Sequence, residues 1–199
     1  MITYINPDKW CVIHHPVDLE QVYTIEYVNY KGDPKQYYKS EVLDSRRNFV
    51  YRNCDIKKSY DYGCGTNPFY INDESKPLHS YDKYVERYKE FNREAFFNTD
   101  TILFFDVLEH IFDLDVFLSM IPHKKIIATL PIWPNNELKS VNDLTNWKHY
   151  KPGEHIYYFT KNGFIEFVET KTPWKVTFFN NEIECPPRQD IGSVILELK

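Results

Sequence analysis

A carboxylate and two glycines stand together where a chain could hold a ligand. Asp61 comes just before Gly63 and Gly65 in the segment SYDYGCGTN at residues 59–67. Glycine lets the backbone turn sharply and approach a ligand closely because it has no Cβ, and a nearby carboxylate can bind a cationic or hydroxylated group. Asp82 follows after about 20 residues, the spacing at which an α/β sheet presents an acid to a ribose. The pattern predicts a cradle for a nucleotide-like cofactor.

A second group of reactive side chains follows the apolar run TILFF at residues 101–105. This run leads into DVLEHI at residues 106–111, which contains Asp106 and His110. An imidazole titrates near neutrality, so His110 is a candidate base for removing a proton from a substrate. A structural role for His110 in the loop after the strand fits the sequence equally well. His155, preceded by Glu154, is the second candidate base, and this pair could instead fix its own loop.

With these segments in order, the chain resembles the class I S-adenosylmethionine-dependent methyltransferases, in particular their small bacterial and viral type 11 and type 23 members. The segment DYGCGT closes the first strand, an acid ends the second, and DVLEHI ends the fourth. The resemblance extends from about residue 57 to the end of the chain, with residues 124–130 as a fifth strand and EHIYYFT at residues 154–160. It implies an α/β, Rossmann-like fold with a mostly parallel sheet and an antiparallel C-terminal strand.

The resemblance also implies roles for single residues, with S-adenosyl-L-methionine as the cofactor. Asp61 would lie near the methionine part of the cofactor, and Asp82 would accept hydrogen bonds from the ribose hydroxyls. The catalytic candidates are His110 and His155. The implied cofactor-binding residues are Asp61, Tyr62, Gly63, Cys64, Gly65, Tyr81, Asp82, Asp106, Val107 and Leu108.

One departure from the family concerns the middle of the sheet. Between Asp82 and the strand at residue 101 there is room for one helix, where the family fits a helix, a strand and a second helix. We therefore expect the third strand to be missing or very short, and the residue that contacts adenine stays open, with Asn98 or Asp100 as guesses. The shortened sheet is also consistent with an alternative function. The protein would then bind the cofactor with the same fold but without catalysis, and would act in regulation or assembly.

A nicotinamide-dependent oxidoreductase is a further alternative. Its fingerprint needs a third glycine for close packing of helix against strand, and Pro68 stands at that place. Such fingerprints also usually lack an acid two residues before the first glycine. Both differences favour methyl transfer over hydride transfer.

Length, charge and hydropathy limit the classes of protein to which the chain can belong. The chain has 199 residues, enough for one well-buried α/β domain, and we divide it into an N-terminal extension at 1–32 and a methyltransferase domain at 33–199. The net charge is −5 and no long basic run occurs, which favours a small-molecule acceptor over nucleic acid, although a basic patch formed by folding stays open. No apolar stretch approaches a membrane span, and the first residues lack the pattern of a signal peptide, so we expect a cytoplasmic protein.

The four cysteines are dispersed and include no C-x-x-C pair, which indicates free thiols in a reducing compartment. The segment CVIHH at residues 11–15 could donate two or three metal ligands, but a structural zinc site needs a second pair at similar spacing. No metal site is therefore predicted.

Local patterns predict the remaining elements. Asp33 and Pro34 indicate the start of a helix that runs to about residue 52. Further helices are expected over residues 84–95, from Asp113 as its cap up to Pro122, and from Thr160 as its cap to about residue 169. Strands are expected over residues 57–62, 78–82, 101–106 and 125–130, with a closing antiparallel pair at 174–180 and 191–198, and a long loop at 131–152.

Overall fold

A computed structural model gives the fold of the chain. It describes residues 3–5, 11–14, 40–65, 79–135, 141–151, 153–184 and 188–199. Single turns of 3₁₀ helix occur at Ile56–Lys58, Glu86–Tyr88, Leu108–His110 and Val141–Leu144. The α-helices of these ranges are α1 (Ser40–Asn53), α2 (Arg93–Asn98), α3 (Leu114–Met120) and α4 (Lys161–Lys171). The strands are β1 (Thr3–Ile5), β2 (Cys11–His14), β3 (Ser59–Tyr62), β4 (His79–Tyr81), β5 (Thr101–Phe105), β6 (Lys125–Trp133), β7 (Tyr157–Thr160), β8 (Trp174–Asn180) and β9 (Ile191–Leu198).

The strands form one sheet with a parallel centre. The order is β1-β2-β7-β6-β5-β3-β4, and β9 pairs with both β6 and β8. Strands β4, β3, β5 and β6 are parallel neighbours, whereas β9 runs antiparallel to β6 and β8. This arrangement confirms the predicted Rossmann-like α/β fold with antiparallel C-terminal strands.

The predicted shortening of the sheet is also confirmed. Residues 82–100 are all described, and between β4 and β5 they form only a 3₁₀ turn and α2. In the part of the chain that the structure describes, no strand pairs with the outer side of β4, so β4 is the edge of the sheet that these residues form. The side of the sheet next to the glycine turn is therefore narrower than the family resemblance implies.

Alternation along the central strands explains why the sheet is covered on both faces. Ile102 and Phe104 of β5 belong to one large apolar cluster, and Leu103 belongs to a second cluster on the opposite face. Successive side chains of a strand point to opposite faces, so a run of apolar residues needs cover on both. Phe49 and Val50 of α1 cover one face, and α3 and α4 contribute to the cluster on the other.

Several predicted boundaries hold. Thr160 caps α4, since its hydroxyl oxygen accepts a hydrogen bond from the Gly163 N–H at 3.0 Å. The closing strands β8 and β9 pair as predicted. The start of the helix predicted from Asp33 lies outside the described residues, but its later part is α1.

Three local predictions are wrong. The helix expected over residues 84–95 is a 3₁₀ turn followed by α2, because the side chain of Asn92 caps a new helix by accepting from the Ala95 N–H at 2.9 Å. Asp113 does precede α3, but its φ is 50° and its side chain makes no capping hydrogen bond. The loop expected from residue 131 begins later, because β6 continues to Trp133 by pairing with β7 and β9.

The N-terminal segment contributes two strands to the sheet. β1 pairs with β2, and β2 pairs with β7, both antiparallel. Residues of the predicted extension 1–32 thus form the edge of the sheet opposite β4. The predicted domain boundary between residues 32 and 33 stays a prediction. Among the described residues, no helix has the length and apolar character needed to cross a membrane.

Candidate functional site

The carboxyl ends of three parallel strands meet at one edge of the sheet. β3 pairs with β4 and with β5 in parallel register, with Tyr62 opposite Tyr81 and Asp61 opposite Leu103. The residues that leave these strands are Gly63 after β3, Asp82 after β4 and Asp106 after β5. Ligands of open α/β sheets bind outside such strand ends. The fold therefore places the glycine turn after β3 and the acids after β4 and β5 at the same edge of the sheet.

The turn after β3 is held by the end of β4. The N–H groups of Gly63 and Cys64 both donate to the carbonyl oxygen of Tyr81, at 2.8 and 3.0 Å. Gly63 has a φ of 74°, in the left-handed region that favours glycine. A Cβ on Gly63 would also lie only 2.5 Å from Cγ2 of Val107. Gly63 is thus required both by its backbone conformation and by the close packing of the β5 end.

Asp82 fixes the next part of the turn. Its Oδ2 accepts a hydrogen bond from the Gly65 N–H at 2.8 Å, and its Oδ1 accepts from the Tyr84 N–H at 2.9 Å. A carboxylate oxygen can accept more than one hydrogen bond, so these contacts leave Asp82 able to bind further donors. A Cβ built on Gly65, whose φ is 63°, meets no atom of the described residues within 4 Å. The described residues thus leave space beside Gly65, whose N–H binds the Asp82 carboxylate.

Aromatic rings surround the strand ends. The rings of Tyr62 and Tyr81 lie 5.0 Å apart, and Phe91 packs edge-on against both. Burial, with smaller contributions from Tyr81 and Asp82, raises the pKa of Tyr62 to about 12, so its hydroxyl stays protonated at neutral pH. These rings make the edge of the candidate site largely apolar.

Other predicted cofactor residues are placed deeper. Asp61 is buried below the turn, and the side chain of Leu108 lies wholly within the main apolar cluster. Burial raises the pKa of the Cys64 thiol far above its usual range, which keeps it a neutral, unreactive group. Val107 is half-buried and packs against the same cluster.

Asp106 has partners that the sequence did not predict. Its carboxylate accepts from Arg46 Nη2 at 2.7 Å and from Arg188 Nη1 and Nη2 at 2.9 and 3.0 Å. Glu184 also bonds both arginines, through Arg46 Nε and, at 2.8 Å, Arg188 Nη1. We call Arg46, Asp106, Glu184 and Arg188 the ion cluster. It holds two positive and two negative groups, so its formal charges cancel.

The electrostatics of the ion cluster follow from this pairing. Burial alone would raise the pKa of Asp106, but the charges of Arg188 and Arg46 outweigh it and hold that pKa well below its usual range. Asp106 also has a φ of 58°, an uncommon conformation outside glycine. The ion cluster thus anchors the end of β5 to α1 and to the segment after β8. A direct contact between Asp106 and the cofactor stays a prediction.

A second cluster contains both predicted catalytic histidines. The rings of His110 and His155 meet edge-on with centroids 4.7 Å apart, and Glu109 Oε1 lies 3.8 Å from His110 Nε2. The Nδ1 atom of His110 bonds the carbonyl oxygen of Glu154 at 2.7 Å. We call Glu109, His110 and His155 the Glu-His-His cluster. The sequence predicted the two histidines as catalytic candidates, whereas Glu109 is not among the predicted site residues.

Burial controls protonation within the Glu-His-His cluster. It lowers the pKa of His110, and together with the charges of His110 and Lys151 it lowers the pKa of His155 to about 2. Both rings are therefore neutral at pH 7. Burial, followed by the negative charge of Asp106, raises the pKa of Glu109 well above its usual range. Each of the three residues offers one ligand atom, and these atoms lie within 4.8 Å of one another.

Comparisons with known proteins identify the fold. No protein-family model matches the chain, and no curated protein is significantly similar in sequence. Solved structures do match. The structure of TnmH superposes with a TM-score of 0.58 at 11% identity, over 93% of this chain and 62% of that one. The magnesium protoporphyrin IX methyltransferase ChlM from Synechocystis PCC 6803, with bound SAH, superposes with a TM-score of 0.56 at 12% identity, over 91% of this chain and 98% of that one.

The chain has the class I methyltransferase fold. This result confirms the resemblance that the strand-end motifs indicated. Within the class I methyltransferase fold, β3, β4, β5 and β6 are the strands that the resemblance numbered first, second, fourth and fifth. Gly63, Asp82 and Asp106 directly follow β3, β4 and β5, and their roles in cofactor binding stay predictions. The superpositions establish the fold of this chain. At sequence identities of 11 and 12%, they do not establish its reaction.

Proposed function

We propose that the protein is an S-adenosyl-L-methionine-dependent methyltransferase that acts on a small-molecule acceptor. The observation that carries the proposal is the Asp82 carboxylate, which accepts hydrogen bonds from the backbone N–H groups of Gly65 and Tyr84 at the end of β4. The bound SAH in the ChlM structure supports the same class of cofactor for this fold.

The residues of the strand ends fit such a cofactor. Asp82 would accept hydrogen bonds from the two ribose hydroxyls, and the turn from Gly63 to Gly65 would let the cofactor lie against the backbone. Tyr62 and Tyr81 would form an apolar wall near these groups. The cofactor supplies a methyl group on a positively charged sulfur. The chain has to align donor and acceptor and to exclude water, and it needs no covalent intermediate.

A hydroxyl or amine acceptor must also lose a proton. With a pKa of about 2, His155 would hold a proton too weakly to be an effective base at neutral pH. His110 is the better placed of the two, since its Nδ1 is bonded to the Glu154 carbonyl and its Nε2 carries the lone pair. Within this proposal, proton acceptance is assigned to His110.

The choice of acceptor class depends on charge. The net charge of −5 and the lack of a long basic run disfavour a polyanionic acceptor, whose phosphates need basic side chains. The dispersed cysteines favour a reducing compartment, and we place the activity in the cytoplasm. A second candidate function, cofactor binding without catalysis in regulation or assembly, is favoured by the absence of a strand between β4 and β5.

Calorimetry with S-adenosylmethionine, S-adenosylhomocysteine and NAD tests the cofactor. We expect the two sulfur cofactors to bind and Asp82→Ala to weaken their binding by about 10- to 100-fold, from the loss of a charged hydrogen-bond acceptor. Asp44→Ala is the matched control, because Asp44 is an exposed acid of α1 whose side chain bonds Arg47. Unchanged affinity in a folded Asp82→Ala protein would remove Asp82 from the site, and binding of NAD alone would overturn the proposal.

Release of labelled methyl groups with a panel of metabolites then separates the two candidate functions. Transfer to one metabolite supports the enzyme. Tight cofactor binding without transfer to any tested acceptor favours the non-catalytic protein.

A further inference from the structure

The Glu-His-His cluster has features that proton transfer does not require. Glu109 is 1% exposed, and neither of its carboxylate oxygens has a hydrogen-bond partner among the described residues. His155 is 4% exposed, and its Nδ1 also lacks one. Buried polar atoms without partners are uncommon because their desolvation is not compensated. The two oxygens of Glu109 and the Nδ1 of His155 lie in one small region. Together they indicate a binding partner that accepts electron pairs, such as a cation.

The orientation of His110 indicates what kind of partner this is. A carbonyl oxygen can only accept a hydrogen bond, so the 2.7 Å contact with the Glu154 carbonyl places the hydrogen on His110 Nδ1. Nε2 then presents its lone pair on the side of Glu109 Oε1, 3.8 Å away. Imidazoles that bind metals typically donate their other N–H to a carbonyl or carboxylate in this way.

The backbone holds the two halves of the cluster together. The Ile156 N–H donates to the Glu109 carbonyl at 2.8 Å, and the His155 N–H donates to the Lys151 carbonyl at 3.0 Å. The segment after β5 is thereby joined to the segment before β7. The convergence of the three side chains is built into the fold, although Glu109 and His155 are distant in sequence.

We propose that Glu109, His110 and His155 bind one divalent first-row transition-metal ion, such as Zn²⁺ or Fe²⁺. Two imidazole nitrogens and one carboxylate oxygen suit these ions better than Ca²⁺ or Mg²⁺, which prefer oxygen ligands. Ligand atoms around such an ion lie roughly 3 to 3.5 Å apart, given bonds of about 2.0–2.2 Å. The atoms of the cluster are already within 4.8 Å of one another, so small side-chain rotations suffice. Three protein ligands leave a coordination position open for water or another oxygen ligand.

Ion binding assigns the two histidines a new role. A nitrogen that binds an ion has no lone pair left for a proton, so in the ion-bound protein His110 and His155 are ligands and not bases. The ion would lower the pKa of a bound water or hydroxyl instead. The inference does not depend on the cofactor or on methyl transfer, since its observations concern only these three residues and their contacts.

Titration of the metal-free full-length protein with Zn²⁺ tests the proposal. Isothermal calorimetry should show a site that Glu109→Gln and His155→Ala each weaken by at least about 10-fold. Glu109→Gln keeps the size of the side chain, and circular dichroism checks that both variants fold. His79→Asn is the control for loss of any histidine, because His79 lies in β4 and stacks on Tyr60.

The segment CVIHH at residues 11–15 is the competing source of ligands, and a variant with Cys11→Ser, His14→Ala and His15→Ala measures its share. Retention of the site in this variant and in His79→Asn supports the proposal. The absorption spectrum with Co²⁺ provides a second measurement. Of the two candidate sites, only the CVIHH segment contains a cysteine, so only that site would give a thiolate-to-cobalt charge-transfer band. The proposal would be overturned if the protein did not bind Zn²⁺, or if Glu109→Gln and His155→Ala bound it as tightly as the wild type. It would also be overturned if only the triple variant lost the site.

Discussion

Gly63 and Val107 lie so close together that a side chain of any size on Gly63 would collide with the valine. A Cβ there would be 2.5 Å from Val107 Cγ2 and 3.2 Å from Cγ1. We expect Gly63→Ala to destabilise the fold by roughly 1–2 kcal/mol through its left-handed backbone and by about 1–3 kcal/mol more through overpacking. Urea unfolding followed by circular dichroism measures the loss.

Gly65→Ala is the matched control for the contact with Val107. Gly65 also has a positive φ, but no atom of the described residues lies within 4 Å of its Cβ position. We expect only the backbone cost, about 1–2 kcal/mol. Equal losses in the two variants would show that packing against Val107 does not matter.

The ion cluster predicts a large difference between two neighbouring arginines of α1. Arg46 is buried and bonds both Asp106 and Glu184, so Arg46→Gln leaves the partly buried Asp106 and the fully buried Glu184 short of a cation. We expect a loss of about 3–5 kcal/mol in the free energy of unfolding. Arg47 pairs only with the exposed Asp44 among the ion pairs of the described residues, and Arg47→Gln should cost less than about 1 kcal/mol. Similar losses in both variants would mean that the ion cluster contributes little.

His123 predicts a pH dependence of stability. Its Nε2 bonds the Phe96 carbonyl and lies 2.9 Å from Thr99 Oγ1, while its buried Nδ1 has no hydrogen-bond partner in the described ranges. Burial lowers the pKa of His123 below 6.5, so the unfolded chain binds a proton more readily than the folded protein. The associated stability is present above pH 6.5 and is lost as the pH falls below it, by at most about 1.4 kcal/mol per pH unit.

His123→Gln keeps an N–H donor but cannot titrate. We expect the difference in unfolding free energy between wild type and His123→Gln to shrink as the pH is lowered from 7.5 to 5. Denaturant melts at several pH values give this difference, and parallel curves would contradict the prediction.

Thr160 predicts a smaller effect at the start of α4. Its hydroxyl accepts the Gly163 N–H, which Thr160→Ala would leave without this partner. We expect a loss of about 1 kcal/mol, the usual value of an N-cap. Thr160→Ser loses the methyl group but keeps the hydroxyl, so most of the stability should be retained. If serine and alanine at this position are equally destabilising, the methyl group and not the cap accounts for the loss.

Local sequence was sufficient for the features that depend on neighbours along the chain. The glycine turn after β3, the acids after β4 and β5, and the cap at Thr160 are short-range patterns, and each stands at the predicted place. The parallel centre of the sheet follows from apolar strands separated by crossover segments. The single helix expected over residues 84–95 does not form, because the side chain of Asn92 caps a separate helix that begins at Arg93.

Tertiary structure alone decided which side chains these elements bring into contact. Asp106 could be placed at a strand end from the sequence, but its pairing with Arg46 and Arg188 depends on how α1 and the segment after β8 pack over that end. In the same way, the sequence marked His110 and His155 without showing that a buried Glu109 completes their cluster. Such contacts join residues far apart in the chain, and no local pattern of hydrophobicity or turn residues encodes them. The sequence determined the strand ends and their chemistry, whereas packing determined the partners of each charged group.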